Sequence, residues 1–227
     1  MKNTGYAFFD VDETLISIKS MFSFQSFYYR RRWGAMGGSF AEWRSRRQRE
    51  RLVLNGANRL LVNAGFFKEF QGHRQTDVRS AATDWFEQVC KAPGFFIKPV
   101  LAVLHQHQRD GIAPVFVSGS SVDILQPLAD MLKVAHVLAN RQEVDGGRYT
   151  GRLIPPQTIA VGKRDAVQAF LLDHGAAASS CYGYGDHVSD LPLLEAVGHP
   201  NVVANDRDLV AIARERGWPV LTPHPTL

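Results

Sequence analysis

Short apolar runs alternate with helical patterns along most of this chain. Tyr6–Phe9 is an uninterrupted apolar run that ends at acidic residues, which predicts a buried strand. After residue 95 the predicted strands are Ala113–Val117, His136–Ala139, Ser180–Tyr184 and Asn201–Ala204, with a β-hairpin over Glu143–Ile154. The predicted helices are Pro99–Arg109, Val122–Leu132, Lys163–His174, Leu191–Val197 and Asp208–Arg216. This alternation predicts βαβ units, a mainly parallel sheet and therefore an α/β fold.

The segment between the first strand and this alternating region has a helical pattern. Apolar positions recur at helical spacing around Phe24–Tyr28 and over Leu52–Leu61, Phe66–Phe70 and Val78–Val89. Pro93 and Gly94 then give a turn signal. We therefore expect a core made of residues 1–17 and 95–227, with a helical domain inserted over residues 18–94.

Polar residues follow three of the predicted strands at the point where each strand ends. Asp10 and Asp12 follow the first strand, Ser118 follows the second, and Asp186 follows Ser180–Tyr184. In open parallel sheets, ligands bind outside the carboxyl ends of the strands. We expect these polar groups from distant segments to converge there.

The residues at these positions resemble the four motifs of the haloacid dehalogenase superfamily of phosphohydrolases. The motifs are Asp10-Val11-Asp12-Glu13-Thr14-Leu15, Val117-Ser118-Gly119, Lys163, and Gly183-Tyr184-Gly185-Asp186-His187-Val188-Ser189-Asp190. The resemblance implies a Rossmann-like three-layer α/β/α core with an inserted helical cap. The place of the insertion, and the hairpin that contains Asn140, Asp145 and Gly151, are similar to the phosphoserine phosphatase-like branch, subfamily IB.

The resemblance implies a phosphomonoester hydrolase that acts through an aspartyl-phosphate. Asp10 is the expected nucleophile, a known role of carboxylates. Repulsion between two carboxylates placed two residues apart raises one pKa, and Asp12 would use that raised pKa as general acid and then general base. Ser118, the Gly119 N–H and Lys163 are the expected phosphate-binding groups.

A bare site of this composition would repel phosphate. With Asp12 protonated, three carboxylates and one lysine leave a net negative charge, which a divalent cation neutralises. Oxygen ligands beside a phosphate favour Mg²⁺. The resemblance assigns Mg²⁺ to the Asp10 carboxylate, the Asp12 main-chain carbonyl and Asp186, with Asp190 in support.

The net charge of +4 is unevenly distributed. The segment 19–51 holds nine basic and two acidic residues, a net +7, and therefore leaves −3 for the rest of the chain. It also holds eight aromatic residues. Three interpretations stay open: a helix with buried aromatics and solvated arginines, an electropositive lid over the site, or an interfacial patch for phospholipid head groups. Nucleic acid is disfavoured because no recognisable binding module accompanies the charge.

Two positions are expected to influence substrate choice. Lys19 stands where phosphoserine phosphatases carry an acidic residue that recognises the substrate amine, so we expect a small acidic phosphorylated metabolite instead. Asn140 is the second position. Two alternative functions stay open: a lipid-phosphate phosphatase at a membrane surface and a non-catalytic phosphoryl-receiving domain. We also expect His187 to be an exposed loop residue.

The remaining features predict a cytoplasmic protein. Two cysteines are too few for a disulfide scaffold, and no apolar stretch reaches the ~18 residues typical of a membrane-spanning helix. Acidic residues at positions 10 and 12 interrupt the N-terminal apolar run, unlike the apolar region of a secretory signal. Oligomeric state has no readable signal in the sequence.

Overall fold

A seven-stranded sheet forms the centre of the computed structural model, which describes residues 5–223. The strands are β1 (Tyr6–Phe9), β2 (Ala113–Ser121), β3 (His136–Asp145), β4 (Arg148–Ile154), β5 (Tyr182–Gly185), β6 (His199–Val203) and β7 (Val220–Leu221). Their order is β4-β3-β2-β1-β5-β6-β7, and every neighbouring pair is parallel except β3 with β4. The ends of the predicted core, residues 1–4 and 224–227, lie outside the described residues. The predicted α/β fold with a mainly parallel sheet is confirmed.

Helices cover both faces of the sheet, because its central strand is apolar on both sides. Ala7 and Phe9 pack in one cluster with Val100 and Leu125, whereas Tyr6 and Phe8 pack in another with Phe170. The helices of these outer layers are α4 (Lys98–Arg109), α5 (Val122–Met131), α6 (Val161–Asp173), α7 (Leu191–Leu194) and α8 (Arg207–Glu215). The predicted three-layer α/β/α core is therefore confirmed.

The strand register brings the polar strand ends to one level. Phe9 is paired with Phe116 on β2 and with Tyr184 on β5. One or two residues further along the parallel strands, the chain reaches Asp10, Ser118 and Asp186. The carboxyl edge of the three central strands therefore carries the residues of interest.

Three helices lie between β1 and β2 in the chain: α1 (Ser20–Leu54), α2 (Arg59–Lys68) and α3 (Gln75–Val89). Helix α1 is interrupted at Gly34, whose φ of 70° and ψ of −177° are not helical, so it consists of two arms, 20–33 and 35–54. Aromatic residues of this insertion, such as Phe24 and Trp85, belong to the same buried cluster as Phe9 on the sheet. The division into a core (1–17 and 95–227) and a cap (18–94) stays a prediction.

A buried carboxylate connects the insertion to the sheet domain. Asp123, in the first turn of α5, accepts hydrogen bonds from Arg79 Nε (2.6 Å) and Gln75 Nε2 (3.3 Å) on α3. It also accepts one from the buried Tyr149 hydroxyl on β4 (2.6 Å). Charged hydrogen bonds at a partly desolvated site are among the stronger polar contacts in proteins. They stabilise the position of α3 against α5 and β4.

The structure corrects several predicted element boundaries. Asn58 caps α2 by accepting a hydrogen bond from Leu61 N–H (3.0 Å), so the helix predicted over Leu52–Leu61 is two helix ends separated by a turn. The strand predicted at His136–Ala139 continues into the hairpin as β3, and the helix predicted at Leu191–Val197 ends at Leu194. The short edge strand β7 was not predicted. Within residues 5–223, no helix combines the length and apolar character needed to cross a bilayer.

We predict that Phe24→Ala destabilises the protein by about 3–5 kcal/mol, because it removes a large side chain from a packed core. Phe24 is fully buried and contacts the rings of Tyr28, Phe70 and Trp85. Phe40→Ala is the matched control on the same helix: Phe40 is 65% exposed, and its loss should change stability by no more than about 0.5 kcal/mol. Urea unfolding followed by circular dichroism measures both, and equal destabilisation would contradict this account of the cap.

Candidate active site

The loop after β1 turns so that several of its acidic side chains line one cavity. Glu13 N–H donates a hydrogen bond to Ile16 O (2.8 Å), and Glu13 itself has a φ of 64°. Glycine and asparagine adopt that backbone region at lower cost, so this turn is locally strained. Asp10 and Asp12 line the cavity, and the hydroxyl of Thr14 contacts Asp10 Oδ2 (2.8 Å).

Three buried carboxylates meet at the edge of the sheet. Asp10, Asp186 and Asp190 each place a carboxylate oxygen within 4.8 Å of the others. Asp10 follows β1, whereas Asp186 and Asp190 come from the loop after β5. Asp190 Oδ2 also accepts weak hydrogen bonds from the backbone N–H groups of Asp186 and His187, both at 3.3 Å, which holds this loop closed.

Lys163, in the first turn of α6, contributes a positive charge to this cluster. Its Nζ donates hydrogen bonds to Asp10 Oδ1 (2.5 Å) and Asp190 Oδ1 (2.6 Å), and the side chain is buried. Burial by itself lowers the pKa of Lys163, but the two carboxylates outweigh burial and leave the pKa raised. Lys163 is therefore a cation at neutral pH and offsets one of the three carboxylate charges.

Thr14 cannot satisfy both of the carboxylates that it contacts. Its Oγ1 lies 2.8 Å from Asp10 Oδ2 and 2.9 Å from Asp186 Oδ1, yet one hydroxyl has a single hydrogen to donate. Burial raises the pKa of Asp10 despite Lys163. Burial also raises the pKa of Asp186 to about 8, and the charges of Asp10 and Asp190 add to the rise. The ionised form of the cluster calls for a further cation.

The donor atoms of this cluster fit Mg²⁺. They are hard carboxylate oxygens at one edge of a cavity, and Mg²⁺ binds such ligands together with substrate phosphate oxygens. Burial, and after it the charges of Asp10 and Asp190, raise the pKa of Asp186, and a divalent cation would oppose that rise. Asp10, Asp186 and Asp190 offer the side-chain oxygens that could hold it.

Asp12 differs from the other acids in having a carboxylate oxygen without a partner. Its Oδ1 is buried and accepts no hydrogen bond from the described residues. Burial raises the pKa of Asp12 to about 7, the nearby Asp10 charge adds to the rise, and Ser20 opposes it. A carboxyl group with this pKa can both donate and accept a proton near neutral pH.

The end of β2 lines the same cavity. Ser118 is buried, and its Oγ accepts a hydrogen bond from Ser120 N–H (3.1 Å), which leaves its hydroxyl hydrogen free to donate to a ligand. The carbonyl of Gly119 accepts hydrogen bonds from Asn63 Nδ2 (3.0 Å) and Asn140 Nδ2 (2.7 Å). These contacts fix the peptide of Gly119 beside the acidic cluster.

The two candidate specificity residues lie in different surroundings. Lys19 lines the cavity but its Nζ is 3.2 Å from Glu13 Oε2, so a neighbouring carboxylate partly offsets its charge. Asn140 is outside the set of described residues that line the cavity. Its Oδ1 accepts from Thr158 N–H (2.9 Å) while its Nδ2 contacts Gly119 and Asn63. The structure therefore places Asn140 behind the cavity wall.

His187 connects the core loop to the insertion. Its Nδ1 accepts a hydrogen bond from Ser189 N–H (3.0 Å) and lies 3.2 Å from Arg59 Nη1 at the start of α2. Its Nε2 is 3.4 Å from Asp206 Oδ2, and the side chain is about half exposed. His187 is an exposed loop residue, as expected. Its contacts with Arg59 and Asp206 were not expected from the sequence.

The cavity itself has a volume of about 430 Å³ and an asymmetric lining. The acidic cluster forms its floor, and the insertion covers it with apolar side chains and Arg59. The apolar lining residues from the insertion are Met21, Phe22, Val53, Ala57, Val62 and Phe66. A phosphate-sized group at the floor would leave room for a leaving group against the insertion.

Sequence reasoning assigned no role to four residues of this site: Thr14, Arg59, Asn63 and Asn205. Thr14 lies within the quoted first motif, so its spacing was a usable signal. Asn205 donates from Nδ2 to the Glu13 carbonyl (2.5 Å) and approaches Asp186 Oδ2 (3.4 Å) from the loop after β6. Arg59 and Asn63 reach the site only because α2 folds over it.

Comparison with known proteins agrees with this geometry. A family model described as haloacid dehalogenase-like hydrolase matches residues 7–195. A probable phosphatase of Mycobacterium tuberculosis, Rv3661, is 30% identical over 223 residues, which are 95% of this chain and 74% of that protein. A Bordetella pertussis protein of unknown function has a solved structure with a TM-score of 0.87 and 25% identity, covering 98% of this chain and 100% of that one.

A more distant solved structure shares the fold. A phosphoserine phosphatase bearing an analogue of the phospho-aspartyl intermediate has a TM-score of 0.64 at 14% identity, and the match covers 98% of this chain and 95% of that one. The family match spans the motif residues Asp10, Ser118, Lys163, Asp186 and Asp190. The chain belongs to the haloacid dehalogenase-like hydrolase family and is an enzyme of its phosphatase group.

Proposed function

We propose that this enzyme hydrolyses phosphomonoesters through an aspartyl-phosphate on Asp10, with Mg²⁺ as cofactor. The observation that carries the proposal is the difference in surroundings between two acids that line one cavity. Asp10 belongs to a cluster that needs a cation, whereas Asp12 has an unpartnered oxygen and a pKa of about 7. Two acids with such different surroundings suit a nucleophile and a general acid–base.

In the first step a carboxylate oxygen of Asp10 attacks phosphorus, and the bond from phosphorus to the leaving oxygen breaks. Lys163 holds Asp10 Oδ1 and Thr14 contacts Oδ2, so the nucleophile is oriented before substrate arrives. Protonated Asp12 gives its proton to the leaving oxygen. The products are an alcohol and the acyl phosphate on Asp10.

In the second step water attacks phosphorus and releases inorganic phosphate. Asp12, now ionised, takes a proton from this water, and the electron pair of the broken P–O bond returns to Asp10. The enzyme recovers both carboxyl groups in their starting forms. The same residue serves as acid and then base because its pKa lies near neutrality.

Ser118, Gly119 and Lys163 are the groups we assign to phosphate binding. Ser118 and Gly119 line the cavity that holds the nucleophile, and Lys163 supplies positive charge from the acidic cluster. Mg²⁺ held by Asp10, Asp186, Asp190 and the Asp12 carbonyl would neutralise the phosphate charge. Asn140 and Asn63 act as positioning residues, because they hold the Gly119 carbonyl.

We propose a small acidic phosphorylated metabolite as substrate. Arg59 and Lys19 both line the cavity. Within residues 5–223, Arg59 has no carboxylate within ion-pair distance, whereas Lys19 is paired with Glu13. Arg59 is therefore the stronger attraction for a second anionic group on the substrate.

Two alternatives from the sequence receive different support. A phosphoryl-receiving domain would retain its phosphate and would have no use for the unpartnered acid Asp12. A lipid-phosphate substrate is compatible with the apolar cavity wall that includes Phe22 and Phe66. A cytoplasmic location stays a prediction.

We predict that Asp10→Asn abolishes turnover of p-nitrophenyl phosphate, because an amide is a poor nucleophile towards phosphorus. Asp12→Asn should lower kcat by about 10²–10⁴, the usual contribution of a general acid–base. Release of phosphate, measured in the presence of Mg²⁺, checks both variants. Asp173→Asn is the matched control, because Asp173 is an exposed residue on α6. Phosphorylation of the wild-type protein without continued phosphate release would support the receiving domain instead.

A second prediction concerns the metal. Asp186→Asn removes one anionic ligand, so half-maximal activity should require at least about tenfold more Mg²⁺. Activity titrated with MgCl₂, and Mg²⁺ binding measured by calorimetry, give two readouts. An unchanged Mg²⁺ requirement and unchanged Mg²⁺ binding would show that Asp186 is not a metal ligand. The assignment of Asp10 as nucleophile would be unaffected, because the Asp10→Asn variant tests it separately.

A third prediction separates Arg59 from Lys19. Arg59→Gln should raise KM for phosphomonoesters that carry a carboxylate and leave KM for p-nitrophenyl phosphate unchanged, because only the former present a second anion. Glu13→Gln should lower KM for the acidic substrates, since it frees Lys19 from its ion pair. Arg207→Gln on α8 controls for net charge. Equal effects on acidic and neutral substrates would contradict the proposed preference.

A further inference from the structure

The two arms of α1 form an antiparallel helical hairpin that leaves one helix face uncovered. Ser26 Oγ on the first arm donates to Glu42 Oε2 on the second (2.9 Å). At Gly38 the arms approach so closely that an added Cβ would lie 2.7 Å from Arg30 Cα. The buried residues of the second arm are Gly38, Ala41 and Ser45, so its inner face packs on the first arm.

The opposite face of the second arm carries large apolar side chains that are exposed. Met36, Phe40, Trp43 and Leu54 are 90%, 65%, 54% and 84% exposed. With Arg47 and Arg51 they recur at intervals of three or four residues, which places all six on one side of a helix. We call this set the outer stripe. It extends about 27 Å along the helix axis at 1.5 Å per residue.

Arginines and aromatic rings are combined along the outer stripe. The rings of Phe40 and Trp43 stack with centroids 5.8 Å apart, and the Arg47 guanidinium lies 5.5 Å from the Trp43 ring centroid. Among the residues that the structure describes, neither Arg47 nor Arg51 forms an ion pair, and neither does the adjacent Arg44. The stripe is thus apolar along its centre, with uncompensated positive charge.

We propose that the outer stripe binds the surface of an anionic phospholipid bilayer. A helix with exposed aromatic and aliphatic side chains lies in a membrane interface with those side chains below the head groups. Arginines beside them contact lipid phosphates, each adding to the affinity for anionic lipid. While they face water, the four apolar side chains of the outer stripe gain no comparable stabilisation.

Charge favours the bilayer over a second copy of this chain. A two-fold contact through the outer stripe would bring together two segments that each carry a net +7. An anionic surface supplies the opposite charge over the whole length of the stripe. The complementarity therefore selects the lipid surface.

The outer stripe ends next to the catalytic cavity. Leu54 is its last residue, and the neighbouring Val53 lines the cavity and is 60% exposed. Binding along the stripe would therefore hold the enzyme with the insertion side of its cavity near the membrane surface. This inference is independent of the proposed chemistry, because no residue of the stripe contacts the acidic cluster.

The test is flotation of the purified full chain with phosphatidylcholine vesicles, with and without phosphatidylglycerol. The wild-type protein should float only with the anionic vesicles and should be released by high salt. The double variant Arg47→Gln/Arg51→Gln should bind about thirtyfold more weakly. The variant Phe40→Ser/Trp43→Ser should lose at least about tenfold in affinity.

Matched controls change the same side-chain types elsewhere on the surface. Arg207→Gln/Arg214→Gln alters net charge equally on α8, and Leu172→Ser removes a side chain that is 82% exposed on α6. Both controls should bind vesicles as the wild type does. All variants should retain wild-type activity on p-nitrophenyl phosphate, which shows that they are folded.

Three results would overturn the inference. They are absence of wild-type flotation with anionic vesicles at low salt, equal loss of binding in the control variants, and a dimer in sedimentation velocity that Phe40→Ser/Trp43→Ser dissociates. The last result would assign the stripe to self-association. Loss of phosphatase activity in Asp10→Asn bears on none of them, so the two proposals fail separately.

Discussion

Repulsion among three buried carboxylates is the constraint on which this site depends. Asp10, Asp186 and Asp190 are brought together because β1 and β5 are parallel neighbours that end at the same level. Lys163 balances only part of that charge, and the shared Thr14 hydroxyl cannot donate to both of its acceptors. An arrangement that is unfavourable alone would become favourable with a divalent cation held by these carboxylates, and such a cation is what the proposed phosphoryl transfer requires.

The sequence was sufficient for features that depend on short-range patterns. The run Tyr6–Phe9 is apolar at every position because both faces of β1 are covered, and the acids directly after it mark the carboxyl edge of the sheet. Parallel topology then accounts for the convergence of Asp10, Ser118 and Asp186 without knowledge of side-chain contacts. The first strand, the core layers and the placement of these candidate residues follow from that reasoning.

The sequence does not predict features that depend on how distant segments pack together. Arg59 and Asn63 belong to α2, whose sequence pattern predicts a helix but not where that helix packs. Their contacts with His187 and Gly119 arise when α2 folds over the sheet edge. The position and charge of Lys19 predict attraction of an anion, but its pairing with Glu13 depends on the turn after β1. The break at residues 55–58 was missed because the apolar residues on either side continue a helical spacing.

The two faces of the second arm of α1 explain why the basic and aromatic composition of segment 19–51 is compatible with several interpretations. Its inner face is built from small residues such as Gly38 and Ala41, which permit close approach of the first arm, while its larger apolar residues face outward. An amphipathic helix that served only the fold would have the reverse arrangement. Buried aromatics such as Phe24 and Tyr28 come instead from the first arm, so the two arms divide the tasks of packing and exposure. The segment 19–51 therefore presents part of its net charge of +7 on an outer surface, while the rest of the chain has a net charge of −3.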